Sequence, residues 1–516
     1  MSHLQPPKHE LPREDLADSE KTQSGHGTHN ADCALEALGY TAELSRNRST
    51  WNVVFMCFIL SSVPYGLSTT FTYPLAGGGP ANVIWGWVAV CLIILCVAVS
   101  LAEITSVFPT AGGCLLPDLL NFSTTQFFVA SLNVFEKSPG VGICDHFEAY
   151  HAFLIFLAIT LLCHAIPAFG NKWLPWLEVP IPNILFAATI RYFVQFAIFW
   201  TIAGVIAIVV CTLVLAKEGR HSADWVFTHF EPLSGWPTGW SFCVGLLQAS
   251  WATSATGMIV SMCEEVREPA VQVPKAMVGT IVINFIAGLT LLIPLCFVLP
   301  DLNKLIASGQ PVPLTLKSAT GSSAGAFCLL VPLLVLGVIC GVGCATATSR
   351  CTWAFARDGA IPGSKWWKVV NKRLGIPLNA MLLGMIIEIL LGLIYFGSSA
   401  AFSAFSGVGI ILLTLSYGCP VAVSLILRRR QDLKHAGFNL GHLGTFCNIV
   451  TVGWTLLAIP LFCMPTNKSV TVNTMNYAVV VFVGIVLISG VWYWVWGHKN
   501  YAGPPTEGVD AYAEES

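Results

Sequence analysis

Residues 51–80 read WNVVFMCFILSSVPYGLSTTFTYPLAGGGP, a long apolar stretch with helix-breaking residues at its centre. Pro64 has no backbone N–H and cannot continue a helix smoothly, and Gly66 permits unusual backbone angles. Hydroxyl side chains surround them, at Ser61, Ser62, Ser68 and Thr69. We predict an unwound segment in the middle of a membrane span, and such backbone is tolerated only where it lines a cavity. The alternative is a proline kink that binds no ligand.

A second apolar run, over 241–262, is interrupted in a similar way by SWATSATGMI (250–259). Its hydroxyl side chains either mark a second break or bond back to carbonyl groups of their own helix. The two interruptions lie five spans apart if one span between them is hidden, as in corresponding helices of a five-plus-five inverted repeat. Paired broken helices in the two halves of a membrane protein point to the binding site of a transporter.

The composition supports a membrane protein. Of the 516 residues, 55 % are apolar and only 10 % are charged, with a net charge of −2, whereas soluble proteins are about 25 % charged. A soluble enzyme, a nucleic-acid binder and a secreted disulfide scaffold are therefore excluded. The 18 cysteines are scattered through apolar runs. We expect them to act as small buried apolar side chains, and we predict neither a metal site nor a cofactor nor an enzymatic cluster.

A helix needs about 20 apolar residues to cross the hydrocarbon. Eleven stretches qualify: 52–75, 81–108, 151–169, 181–216, 241–262, 277–299, 324–348, 376–397, 400–427, 445–464 and 476–497. Lys and Arg concentrate before the first span and in three loops, which predicts that these regions share the cytosolic side. That arrangement requires a twelfth span between 109 and 216. Either 114–150 holds a poor helix or 181–216 folds back on itself.

The breaks would expose helix ends, whose N–H groups attract a carboxylate and whose carbonyl groups attract an ammonium or a cation. We expect free N–H groups after Gly66. Tyr65 and Trp251 flank the two breaks and would close over the solute, or hold a quaternary ammonium by cation–π attraction. The predicted substrate-binding residues are Pro64, Tyr65, Gly66, Leu67, Ser68, Trp251, Thr253, Ser254, Thr256 and Gly257.

Ionisable residues inside membrane spans are functional candidates by default. Glu103 lies near the cytosolic end of the second span, where it either gates the site, extends to the interface or caps a neighbouring helix. Glu388 lies in the middle of GMIIEILLG and is a proton carrier, a satisfied structural carboxyl or a residue that faces an oligomer partner. We expect cytosolic gate contacts, unless these are solvated loop residues, from Glu264, Glu265, Arg357 and Asp358.

Four segments resemble the fungal amino acid/choline (GABA permease-like) transporter family of the amino acid–polyamine–organocation superfamily. They are LEALGYTAELSRNRSTWN (35–52), LSTTFTYPLAGGGPANVIWGW (67–87), SMCEEVREPAVQVPKAM (261–277) and TSRCTWAFARDGAIPGSKWW (348–367). The resemblance covers about 33–113 and 199–500. It implies an all-α polytopic, LeuT-like fold with about twelve helices, of which ten form two inverted repeats. It also implies import of amino acids or amines such as γ-aminobutyrate or choline, commonly coupled to protons.

Two segments, 114–150 and 179–198, depart from the pattern of that family, the first of them in place of its third helix. Two alternatives stay open: a nutrient sensor that does not transport, and a transporter specific for choline or another quaternary ammonium. The sequence thus predicts a disordered cytosolic tail (1–50), a transporter domain (51–498) and a cytosolic tail (499–516). The expected partners are a small amino acid or amine, a proton and the lipid bilayer of the plasma membrane, without nucleic acid.

Overall fold

We describe a computed structural model of the protein. It describes residues 35–36, 46, 50–107, 149–170, 182–371, 374–396, 399–427, 438–471 and 475–501. Within these ranges the chain is helical and contains no strand; the only β-type pairing is a single bridge between Asn371 and Ile376. Most of the predicted tails, 1–50 and 499–516, lies outside the described residues.

Seventeen α-helices are described: α1 Thr50–Ser61, α2 Val63–Thr69, α3 Thr72–Val107, α4 Ala149–Gly170, α5 Pro182–Leu215, α6 Ala223–Thr228, α7 Thr238–Thr253, α8 Pro269–Phe297, α9 Leu302–Ala307, α10 Pro311–Thr320, α11 Ser323–Arg357, α12 Ser364–Trp367, α13 Leu378–Leu393, α14 Ser399–Ile426, α15 His442–Cys463, α16 Ala478–Trp492 and α17 His498–Asn500. Two 3-10 segments continue helices, Ser254–Glu265 after α7 and Ile394–Phe396 after α13.

All eleven predicted spans are found as apolar helices. Within the described ranges, nine are long and apolar enough to cross a membrane by length and composition, and the shorter apolar helices Met56–Thr69 and Leu378–Leu393 supply the other two. The alternative in which 181–216 folds back on itself is wrong, because α5 is one continuous helix of 34 residues. The twelfth span was otherwise predicted within 114–150, which falls almost wholly outside the described residues.

The long helices run between the two ends of one bundle. At one end, here called the basic end, Arg357 of α11 pairs with Glu264 at the end of the α7 span, and Leu440 donates to Glu103 of α3. At the opposite end, backbone N–H groups of Lys468 and His221 donate to Ser234 and Phe297 respectively. Of the Lys- and Arg-rich regions that were predicted to share one side, the described parts of 262–277 and 348–376 lie at the basic end with Arg46, whereas the basic residues of 427–445 lie outside the described residues.

The two halves of the chain run in opposite directions through the bundle. Helix α1 leads away from the basic end, whereas α7 leads toward it; the same reversal relates α3 to α8, α4 to α13 and α5 to α14. In two inverted five-helix repeats, each helix of the first repeat corresponds to an oppositely directed helix of the second, as in these four described pairs. The predicted inverted-repeat architecture therefore agrees with the directions of the helices.

The largest apolar core lies between α1, α2, α3, α7, α8 and α11. Small residues let these helices approach closely, as is usual for helix packing in membranes. Gly288 of α8 lies under the ring of Trp87, where an added Cβ would lie 2.4 Å from the ring. The Trp87 indole N–H donates to the carbonyl of Phe285 at 3.2 Å. In contrast, most apolar side chains of α16 are exposed, which is the surface expected to face lipid.

Candidate substrate site and gate

The first break lies two residues earlier than predicted. Ser62 has left-handed backbone angles, φ 39° and ψ 47°, and separates α1 from α2. This conformation is strained for a residue with a side chain. Pro64 is the second residue of α2, where its missing N–H costs no helical hydrogen bond. The predicted unwinding over Pro64–Gly66 is therefore wrong, because these residues are helical and the irregular backbone is at Ser62.

The N–H groups after Gly66, which were predicted to be free, lie within helix α2 (Val63–Thr69). The Gly66 N–H donates to the carbonyl of Ser62 at 3.0 Å. Gly66 instead allows a close approach of two helices, since a Cβ added there would lie 3.2 Å from the Cα of Ala252 in α7. The two interrupted spans therefore cross at Gly66 and Ala252. Beside this crossing, the Gln248 side-chain amide donates to the carbonyl of Leu67 at 2.7 Å.

The second break is a change of helix type. Helix α7 ends at Thr253 and continues as a 3-10 helix of 12 residues, Ser254–Glu265. Such helices rarely exceed three or four residues, and a long one within a span marks a hinge or a strained segment. The hydroxyl groups bond back to carbonyls of the same span, as one of the two interpretations predicted: those of Ser250, Thr253, Ser254, Thr256 and Ser261.

Four of the predicted substrate-binding residues line a cavity beside the second break: Thr253, Ser254, Thr256 and Gly257. Its other walls come from α3, α14 and α15, including Tyr417, Trp454 and Thr455. The Tyr417 hydroxyl donates to the carbonyl of Ser254 at 3.0 Å, and Gly257 leaves room for its ring. The cavity volume is about 20 Å³, which is room for about one water molecule.

The residues of α2 lie on the other side of the crossing. Pro64, Tyr65, Gly66, Leu67 and Ser68 are buried and do not line the cavity. Tyr65 belongs to the large core, whereas Trp251 packs against a separate cluster of α14 and α15. The structure therefore joins the two predicted segments through Gly66 and Ala252, while the two aromatic side chains pack into different clusters.

Two buried hydroxyl groups at the first break have no hydrogen-bond partner among the described residues. They belong to Ser61 and Ser62, which are 5 % and 1 % exposed. Leaving a buried hydroxyl unpaired costs about 1–3 kcal/mol, so these two hydroxyl groups are candidates to bind a polar group of a ligand. The sequence identified both serines as part of the interruption, but not their lack of partners.

The four predicted gate residues form one network at the basic end. Arg357 donates to Glu264 at 2.9 Å and lies 3.6 Å from the carboxylate of Asp358. Arg350, which the sequence analysis missed, donates to Glu265. Arg350 and Arg357 are seven residues apart on α11 and so share one helix face, which is the signal that would have identified both. These pairs tie the end of the α7 span to α11.

Arg46 extends this network to the segment before α1. Its guanidinium donates to the carbonyl of Val266 at 3.0 Å, and its side chain is buried. Arg46 belongs to the predicted tail 1–50, most of which lies outside the described residues. A charge held on a carbonyl at the end of a 3-10 segment satisfies one of the acceptors left open there.

The two intramembrane carboxylates lie away from both breaks. Glu103 accepts a hydrogen bond from the backbone N–H of Leu440 at 3.0 Å, just before α15 begins. A carboxylate beside the N-terminus of α15 interacts favourably with the helix dipole, and this contact is of the kind that the capping alternative predicts. Glu388 lies between α13 and α4, where Thr160 donates to it at 3.1 Å and His164 lies 3.9 Å away.

Comparison with known proteins identifies the family of this fold. Residues 49–486 match the sequence model of the family described as "Amino acid permease". The chain is 31 % identical to an uncharacterised amino-acid permease of Schizosaccharomyces pombe, over 95 % of this chain and 92 % of that protein. It is 30 % identical to a choline transporter of Saccharomyces cerevisiae, over 92 % and 85 %. A polyamine transporter of the same yeast is 27 % identical over 90 % and 77 %. The chain therefore belongs to the amino acid permease family of membrane transporters.

Proposed function

We propose that this protein imports an amino acid or a related amine across the plasma membrane by alternating access, driven by protons. Its relatives are described as permeases of amino acids and as transporters of choline and polyamines. These solutes all carry an ammonium group, so a site for that group is what they share. Arg46 and Trp492, toward the two ends of the described chain, contact Val266 and Ala360 at the basic end, and the excess of Lys and Arg there favours the cytosolic side for that end.

The observation that carries this proposal is the crossing of two interrupted helices at Gly66 and Ala252. Beside it lie the unpaired hydroxyl groups of Ser61 and Ser62. The solute binds at this crossing. The carbonyl and hydroxyl groups at the first break hold its ammonium group, and the hinge at Thr253–Gly257 adjusts around the rest of the molecule.

The conformation described is closed around the site. The neighbouring cavity holds about 20 Å³, too little for an amino acid, so binding and release require the helices to move. The ion pairs Glu264–Arg357 and Glu265–Arg350 close the basic end. Alternating access opens this gate after the opposite end has closed, with the 3-10 segment Ser254–Glu265 changing shape between the two states.

Uptake of labelled solutes in a permease-deficient yeast tests the substrate class. The panel comprises neutral and basic amino acids, γ-aminobutyrate, choline and polyamines. Uptake of choline that betaine-like cations inhibit and γ-aminobutyrate does not would favour the quaternary-ammonium alternative. The reverse pattern supports an amino acid. If no solute enters while the protein reaches the cell surface, and deletion of its gene alters nutrient signalling, the sensor alternative replaces the proposal.

The crossing itself is tested by Gly66→Leu. A leucine side chain there must push against the backbone of Ala252, which a rigid helix cannot accommodate without separating the two spans. We expect uptake to be lost and surface expression to be kept. Gly279→Leu is the matched control, since a Cβ at that helical glycine meets no atom within 4 Å. Unchanged uptake by Gly66→Leu would contradict the proposed site.

A further inference from the structure

A histidine and a glutamate face each other inside the membrane, away from the breaks and the gate. His164 of α4 is 4 % exposed and Glu388 of α13 is 3 % exposed. His164 is residue 16 of the 22 in α4 and Glu388 is residue 11 of the 16 in α13. Both lie between positions that expose large apolar side chains, such as Leu161 and Ile387. Ionisable groups at this depth are costly, and they mark ion or proton pathways where they pair with each other.

The hydrogen bonds of His164 indicate which ring nitrogen carries hydrogen. Its Nδ1 lies 2.9 Å from the carbonyl oxygen of Thr160. A carbonyl oxygen can only accept, so Nδ1 is the donor. In the neutral ring, Nε2 then has a lone pair, and this atom is the one that faces Glu388, at 3.9 Å from Oε2.

The carboxylate is held from the same helix. The Thr160 hydroxyl donates to Oε1 of Glu388 at 3.1 Å. Thr160 thus fixes both partners, the ring through its carbonyl and the carboxylate through its hydroxyl. Without an added proton, a nitrogen lone pair and a carboxylate oxygen face each other as two acceptors. One proton between Nε2 and Oε2 converts that unfavourable contact into a hydrogen bond.

We propose that His164 and Glu388 form the proton-binding site of the transporter, with Thr160 as the residue that positions both. This inference rests on the proposed function, because it names the site at which the driving ion binds. The proton binds from one side of the membrane, is held between Nε2 and Oε2, and leaves toward the other side in the alternate conformation. The site is separate from the groups that hold the solute.

Two sulfur contacts connect this site to the first break. The thiol of Cys163, next to His164, lies 3.6 Å from the carbonyl oxygen of Val338 in α11. Half a turn further along α11, the thiol of Cys340 donates to the carbonyl of Leu60 at 3.2 Å, two residues before Ser62. Protonation of the pair can therefore alter the packing of α4 on α11, and α11 contacts the interrupted helix directly.

Few other titratable groups face the pair. From the described helices packed against α4 and α13, the nearest are the thiols of Cys163 on α4 and Cys340 on α11. Lys365 of α12 and Lys368 directly after it, in the loop that leads to α13, belong to the basic end. A change of proton dependence in variants of His164 or Glu388 is therefore assigned to the pair itself.

The first test separates proton coupling from solute binding. The purified protein is reconstituted in liposomes with the membrane potential clamped, and accumulation of labelled γ-aminobutyrate or choline, as the panel selects, is measured under an imposed pH gradient. A gradient of one pH unit drives at most about tenfold accumulation with one proton. We expect the parent to approach that ratio. Glu388→Gln and His164→Gln should fall to about onefold yet retain exchange of labelled for unlabelled solute.

Thr160→Val removes the hydroxyl and should lower the accumulation ratio without abolishing it. Thr212→Val is the matched control, because its hydroxyl bonds back to Ile208 and Val209 of α5. We expect that control to behave as the parent does. Accumulation at the parental ratio in Glu388→Gln or in His164→Gln would overturn the proposal while leaving the transport function intact.

A second test needs no transport. Ring-nitrogen NMR signals are recorded for protein labelled with ¹⁵N-histidine, and the signal of His164 is identified by its loss in His164→Gln. We expect this signal to titrate between about pH 4 and 9, and its midpoint to move in Glu388→Gln. A signal that stays unchanged over this range, or that titrates identically in both proteins, overturns the pair as a proton site even if no solute is transported.

Discussion

At the residue scale, the site depends on small side chains at a few crowded positions. Gly66 is needed because a Cβ would lie 3.2 Å from the backbone of Ala252. Gly257 is needed because a Cβ would lie 2.5 Å from the ring of Tyr417. The flexibility of glycine matters less at these points than its lack of volume, since both residues are helical. Close contact between the crossing helices follows from this absence of side chains.

Glu103 offers a test at the same scale, because its hydrogen bond with the Leu440 N–H favours capping over gating. Replacing it with alanine removes the acceptor for the Leu440 N–H, and we expect a loss of about 1 kcal/mol in unfolding free energy. Glu103→Gln keeps a carbonyl acceptor, and its unfolding free energy should fall by less, since only the charge near the start of α15 disappears. Thermal unfolding in detergent measures both.

Uptake supplies the control for that prediction. A capping role requires that Glu103→Gln keep the proton dependence of uptake, whatever its stability. If Glu103→Gln changed the proton dependence while thermal unfolding stayed the same, Glu103 would be a coupling residue and the capping interpretation would be wrong.

At the element scale, the hinge is the 3-10 segment Ser254–Glu265. Its hydrogen bonds are less well aligned than those of an α-helix, so a change of helix type costs less there than elsewhere in the span. One end of this segment lies at the cavity and the other carries Glu264 and Glu265 of the gate. A change in its length therefore links the two, because a 3-10 helix rises about 2.0 Å per residue and an α-helix about 1.5 Å.

Helix α5 supports a prediction about the atypical segment 179–198. Its 34 residues extend over about 51 Å, far more than the hydrocarbon thickness of about 30 Å. The part that can cross the membrane is Phe196–Leu215. We expect deletion of 182–195, nearly four full turns, to keep surface expression and uptake.

Deletion of an equally long segment, 196–209, is the control. It removes Ala197, which packs with Ile59 of α1 and Ile339 of α11, so uptake should be lost. Loss of uptake after deletion of 182–195, with normal surface expression, would show that the additional turns of α5 belong to the working transporter.

At the scale of the whole molecule, we expect the ion pairs at the basic end to hold the proposed gate closed. Arg357→Gln removes the charge that pairs with Glu264 and Asp358 and should shift the population toward a state open at that end. The reactivity of the Cys263 thiol can detect this opening, because Cys263 is 0 % exposed and directly precedes Glu264 and Glu265. We expect a membrane-permeant maleimide to alkylate Cys263 several-fold faster in Arg357→Gln, measured by mass spectrometry of its peptide.

Cys296 is the internal control for this labelling. It is equally buried but lies at the C-terminal end of α8, away from the basic end. Its alkylation rate in Arg357→Gln should therefore equal that in the parent. Faster labelling of both thiols would indicate general unfolding rather than opening of the gate. Equal labelling rates of Cys263 in parent and variant would contradict a role of the Arg357 ion pair in closing the gate.

The sequence by itself determined the class of protein and eleven helical spans. It also located both interruptions to within a few residues. These features follow from local properties: runs of apolar residues, Lys and Arg near span ends, and Pro or Gly within a span. The pairing of Glu264 and Glu265 with α11 was likewise expected from charged residues near the ends of two spans.

Only the tertiary structure decided the backbone conformation and the hydrogen bonds at the two breaks. It moved the first break to Ser62, gave the Gly66 N–H a partner, and turned the second break into a 3-10 helix. It also brought Tyr417 and Trp454 to the cavity and His164 to Glu388. Each of these depends on which helices pack together and at what height, and contacts between segments more than a hundred residues apart leave no periodic signal in the sequence.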